Sequence, residues 1–155
     1  MIVPEKFLQV AGWRGEGYHP VIDFGTWRVA LLNDAPEFRP EKLGKIEKHL
    51  STDEVFVLLA GEGLLIVAGG DGAPEEVYCT WMEPGKVYNV RQGVWHWVLT
   101  AAGTRMLIVE NSDTSEENSR YTTLTQGQIK EILAVLERSS RYLVPAKPLI
   151  DSSMA

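Results

Sequence analysis

From residue 26 to about residue 111 the chain is a succession of short runs rich in β-branched and aromatic residues, each closed by residues that tolerate a turn. Residues 27–32 form the first run and residues 55–60 the next strong one. The second meets residues 64–68 through Gly61-Glu62-Gly63, a short glycine-bearing loop that suits a hairpin. Gly69-Gly70-Asp71-Gly72-Ala73-Pro74 supplies a longer turn before the run at 76–81. Glu83-Pro84-Gly85 and Arg91-Gln92-Gly93 bracket another short strand, and runs at 95–99 and 105–110 complete the set. Short strands at this spacing indicate an all-β sandwich or closed barrel. The long interleaved helices that a parallel sheet needs are absent from the pattern.

A single helix is predicted near the C-terminus, over residues of about 125–139. Thr125 is a suitable N-cap, Gln128 stands at the capping-box position, and Ile129, Ile132, Leu133 and Leu136 recur at helical spacing. That stripe is expected to pack on the outside of the barrel or on a partner subunit. The charged stretch from Lys42 to Lys48 is read as a strand from Lys45 onward, for the reason given below. With 155 residues, the chain is expected to form one domain, residues 1–155, with a barrel over about 20–112.

The net charge of −6 disfavours a phosphate-backbone partner, and the basic residues form no cluster, so no nucleic-acid partner is expected. Cys79 is the one cysteine, which excludes an internal disulfide. No apolar run is long enough for a membrane span and no leader pattern opens the sequence. A cytoplasmic location with no membrane partner is the default expectation.

Two segments carry chemistry. In the first, Glu47 and His49 stand two residues apart, so on a strand both side chains face one way. Ser51-Thr52-Asp53 can turn the chain so that Glu54 opens a returning strand beside His49. In the second, Gly93 permits a tight turn that presents His96 near the start of its own strand. If these strand ends converge, two imidazoles and two carboxylates meet. Such a mixed nitrogen and oxygen set suits Mn, Fe, Ni or Zn, and a divalent ion offsets the cost of bringing two carboxylates into a pocket.

These spacings resemble the two motifs of the cupin superfamily. Here they read Glu47-x-His49, four residues, Glu54, six residues, Gly61; and Gly85, five residues, Arg91-x-Gly93, two residues, His96, three residues, Thr100. Glu47 stands where the family has a first histidine, Arg91 where it has proline, and Thr100 where it has asparagine. The resemblance implies a cupin-type jelly-roll barrel (a double-stranded β-helix), with Glu47, His49, Glu54 and His96 as metal ligands. The Gly93-Val94-Trp95-His96 run is also similar to ureidoglycolate lyases, cupin-fold enzymes that cleave ureidoglycolate to glyoxylate and urea. The Val109-Glu110-Asn111 run is similar to bacterial cupins in which it follows the last barrel strand.

The expected function is that of a metal-dependent lyase acting on a small polar carboxylate, with Glu54 or Glu47 moving a proton when not ligated. Lys45 shares the parity of Glu47 and His49 and is a candidate to hold a substrate carboxylate; Tyr88 and Arg91 are further substrate-binding candidates. A metal-free small-molecule or sugar binding module is the alternative, which the Glu47 substitution favours, and oxygenase or isomerase chemistry in the same pocket is a third reading. His19 is read as a surface or loop residue and Cys79 as a small strand hydrophobe. Trp95 and Trp97 face away from His96 and are read as packing or dimer-surface residues, so a homodimer is expected.

Overall fold

The computed structural model describes residues 3–139. Ten strands precede one helix: β1 (Gly17–Phe24), β2 (Trp27–Asn33), β3 (Lys45–His49), β4 (Glu54–Ala60), β5 (Gly63–Ala68), β6 (Val77–Trp81), β7 (Val87–Val90), β8 (Trp95–Thr100), β9 (Arg105–Asn111), β10 (Ser119–Thr123) and α1 (Gln126–Arg138). They form two five-stranded antiparallel sheets, ordered β1-β2-β9-β4-β7 and β10-β3-β8-β5-β6. This is the all-β jelly-roll barrel of the cupin type, followed by a C-terminal helix. The strands reach beyond the expected barrel at both ends, to Gly17 and to Thr123. Of the two readings of His19, surface holds and loop does not: it lies exposed on edge strand β1, stacked on Trp13 at 4.0 Å.

Alternation builds the inner wall. On β4, Glu54, Phe56 and Leu58 are buried in turn, and on β9 so are Met106, Ile108 and Glu110. Strand β8 is buried at all six positions, because one face looks into the barrel and the other is covered. Part of the cover is Phe38, whose ring lies 5.3 Å from that of Trp97, while α1 packs on β6 and buries Ile132 and Leu136. Its N-terminus has the expected capping box, and Gln128 Nε2 also donates to the carbonyls of Pro74 and Glu75 at 2.9 and 2.7 Å. Leu64, Ile66 and Leu99, none of them accessible to solvent, each contribute about 1.5–3 kcal/mol of burial.

Two expectations are corrected here. Gly61-Glu62 does not close a hairpin. Strand β4 pairs with β7 and β9, whereas β5 pairs with β6 and β8, so the turn carries the chain from one sheet to the other. Contacts to Thr104 hold it there: Glu62 N–H donates to Thr104 Oγ1, and that hydroxyl donates to the Glu62 carbonyl. Trp95 and Trp97 face away from His96, and of the two readings given for them packing holds at 2% and 8% exposure, so the dimer-surface alternative is the part corrected. Trp95 Nε1 donates to the Gly70 carbonyl, and the buried Lys48 ammonium lies over the Trp95 ring while donating to the carbonyls of Gly70 and Asp71. Together these bonds tie the β5–β6 loop to β3 and β8. No helix among the described residues is long and apolar enough to cross a membrane.

Candidate metal centre

A cavity of about 240 Å³ opens inside the barrel. That volume is below the usual range for drug-sized ligands and fits a small metabolite. Glu47, His49, Glu54 and His96 all line it. Glu47 and His49 alternate on β3, and Glu47 is the residue that bridges to His96 on β8. Glu54 opens β4 after a turn in which Asp53 accepts bonds from Asn89 Nδ2 and the Gln92 N–H, both at 2.8 Å. The Gly93 N–H donates to the His49 carbonyl at 2.8 Å, which sets the start of β8 against the end of β3.

Both imidazoles are held at Nδ1. His96 Nδ1 lies 2.9 Å from the Val94 carbonyl, which only accepts, so Nδ1 carries a hydrogen. His49 Nδ1 lies 2.9 Å from Ser119 Oγ. The two Nε2 atoms reach Glu54 Oε2, at 2.7 Å from His96 and 3.3 Å from His49. Beyond that ion-pair approach, Glu54 Oε2 and His96 Nε2 are buried with no hydrogen-bond partner among the described residues. Two buried lone-pair atoms face each other with their outer atoms tied down, an arrangement that fits a shared cation. Donor atoms of Glu47, His49 and His96 lie within 4.8 Å of one another, and so do those of His49, Glu54 and Glu110.

The electrostatics follow from burial and pairing. Burial alone would raise the Glu54 carboxyl, but His49 and His96 outweigh it and hold it at about 2. Burial would lower His96, and the Glu54 carboxylate pushes it up instead. Burial raises Glu47, opposed by His96. Without a cation the Glu54 carboxylate thus favours a proton on His96 Nε2, one that a metal ion would displace to free the lone pair, beside a Glu47 that takes up a proton more readily than an ordinary glutamate.

The remaining site expectations divide. Lys45 lines the cavity with its Nζ 4.6 Å from the Tyr121 ring and 5.2 Å from the Trp97 ring. Tyr88 is not among the lining residues; its hydroxyl accepts the Glu83 N–H at 2.8 Å. Arg91 also lies outside, with a side chain 79% exposed and 3.9 Å from Asp53. Among the polar lining residues not singled out as site residues from the sequence are Tyr18, Arg28, Glu110 and Tyr121. Tyr18 and Arg28 both donate to Glu110 Oε1, with Arg28 Nε at 3.1 Å. Burial and the Glu110 carboxylate push the Tyr18 hydroxyl up. Tyr121 is paired with Glu47 across β10 and β3.

No family model matches the chain. Among curated proteins it is 35% identical over 74 residues to ureidoglycolate lyase 2 of Rhizobium meliloti, covering 46% of this chain and 45% of that one. It is 31% identical over 110 residues to the ureidoglycolate lyase of Mesorhizobium japonicum, covering 64% and 66%. The matches thus span less than two thirds of either relative's length. Among solved structures, a cupin-2 domain protein from Shewanella frigidimarina aligns over 64% of this chain and 84% of its own at 19% identity, with a TM-score of 0.45. A single-residue variant of Streptomyces PAC13, solved with uridine, aligns over 78% and 89% at 9% identity, with a TM-score of 0.51, a likeness of fold alone. The chain is a cupin-fold protein whose sequence is similar to that of ureidoglycolate lyases.

Proposed function

We propose that this chain is a metal-dependent lyase for a small polar carboxylate of the ureidoglycolate kind. The observation that carries the reading is the convergence of Glu47, His49, Glu54 and His96 on one cavity, with Glu54 Oε2 and His96 Nε2 buried and unpartnered. Those four residues would hold a divalent transition metal such as Mn, Fe, Ni or Zn. Bound there, the ion would supply Lewis-acid polarisation of a substrate oxygen.

The chain's own residues do the rest. Lys45 at the mouth, flanked by Trp97 and Tyr121, receives the substrate carboxylate. Glu47, when not ligated, has a carboxyl raised by burial and accepts the proton of the substrate hydroxyl. The hydroxyl oxygen closes to a carbonyl, the adjacent C–N bond breaks with its electrons going to nitrogen, and Glu47 returns the proton to that nitrogen. The products are glyoxylate and urea. The buried wall of Phe56, Val98 and Ile108 keeps bulk water from the reacting carbon.

The test is glyoxylate release by purified protein loaded in turn with Mn, Fe, Ni and Zn. Turnover with at least one ion, lost in His49→Ala and His96→Ala, supports the lyase. The replacement of a first histidine by Glu47 favours a second reading, a metal-free binding module. Ligand binding without turnover, undisturbed in His96→Ala, would establish that one instead.

A further inference from the structure

Glu110 has no part in the chemistry above, yet it is 5% exposed and its side chain points into the barrel from β9. A carboxylate oxygen of Glu110 lies with donor atoms of His49 and Glu54 in a group spanning no more than 4.8 Å. Among the described residues every hydrogen bond and ion pair to Glu110 falls on Oε1, from Tyr18 Oη and from Arg28 Nε and Nη2. A carboxylate that is oriented by two donors on one oxygen keeps the other free for a cation, the usual support given to a ligating carboxylate. Glu54 Oε2 and His96 Nε2, both in residues more than nine-tenths buried and without a hydrogen-bond partner, aim at the same part of the cavity. Charge points the same way. Glu37, Glu47, Glu54 and Glu110 line the cavity against Arg28 and Lys45, so carboxyl groups outnumber the permanent cations by two, a difference that one divalent cation between neutral imidazoles would offset.

We propose that Glu110 is an additional protein ligand of the metal centre, on the side of His49 and Glu54, with Tyr18 and Arg28 orienting it. This rests on the metal-centre reading above and deepens it. Three carboxylates with two imidazoles exceed the four donors that zinc prefers and suit a six-coordinate, oxygen-preferring ion such as Mn²⁺.

The experiment is calorimetric titration of Mn²⁺ and of Zn²⁺ into chelator-stripped protein, wild type and Glu110→Gln, with circular dichroism to show that both are folded. Loss of a ligand predicts Mn²⁺ affinity lower by about 30-fold, while Zn²⁺, still served by four donors, falls by less than about threefold. Equal loss for the two ions, the mark of a purely structural role, would overturn the assignment, and so would no loss for either. If Glu110→Gln does not fold, Glu110→Asp keeps the charge and withdraws the carboxylate by one methylene, and the same split between ions is expected. Wild-type protein that binds neither ion would end the metal-centre reading itself, a result distinct from an unaffected variant.

Discussion

Gly61 and Gly85 both stand at motif positions and both have positive φ, +78° and +80°. Replacing each with alanine separates backbone strain from steric closure. At Gly85 a Cβ would meet nothing within 4 Å, so Gly85→Ala carries only the left-handed penalty, about 1–2 kcal/mol. At Gly61 a Cβ would lie 2.5 Å from Thr104 Cα and 2.9 Å from Thr104 N. Those are backbone atoms of a residue 1% exposed and bonded twice to Glu62, so they cannot swing aside. Gly61→Ala should therefore lose the same strain plus about 2 kcal/mol of overpacking. Urea unfolding of both variants, followed by tryptophan fluorescence and fitted as two-state, gives the difference directly. Equal losses would refute the claim that this turn is pressed against the β8–β9 loop to carry the chain between sheets.

Other expectations follow from the same contacts. In the metal-free protein, carbon-detected NMR should show the Glu54 carboxyl titrating near pH 2; a midpoint near 4.5 would contradict the His49 and His96 contacts. His96 has the opposite sign: its pKa is raised on folding, so its stabilisation is present below about 6.5 and lost as pH rises past the folded value. The melting temperature of chelator-stripped protein should thus fall as pH is taken above 6.5 more steeply than that of metal-loaded protein, and parallel profiles would contradict this. Lys45→Ala should raise KM for a carboxylate substrate with little change in kcat, because its ammonium stands at the mouth and not at the reacting carbon. Trp95→Phe removes the bond to the Gly70 carbonyl and should cost about 1–2 kcal/mol in chemical denaturation.

What the sequence disclosed was local. Glu47 and His49 share a face by parity, Glu54 follows one turn later, and a glycine-led turn precedes His96; each statement spans a few residues. The helix was legible for the same reason, through Thr125, Gln128 and a regular apolar stripe. Glu110, Tyr18 and Tyr121 reach the cavity through strand pairings that no short window contains, β2 with β9, β1 with β2 and β10 with β3. One signal was present for Glu110, since it continues the buried alternation of Met106 and Ile108, a charge where an apolar residue is due. Gly61 misled because a two-residue glycine turn between apolar runs has the same sequence whether the strands pair or part. Parity gave the face of Trp95 and Trp97 but could not choose packing over a dimer surface, because the β5–β6 loop and Phe38 that lie on them come from distant segments.

The account stands or falls on whether the inward-facing imidazoles and carboxylates hold one ion. A crystal structure of Mn²⁺-loaded protein, with anomalous scattering measured at the manganese edge, tests this most directly. A single peak is expected in the barrel cavity, within about 2.0–2.4 Å of His49 Nε2, His96 Nε2 and a Glu54 carboxylate oxygen. A peak elsewhere on the protein, or His96 Nε2 turned away from it, would contradict the central claim.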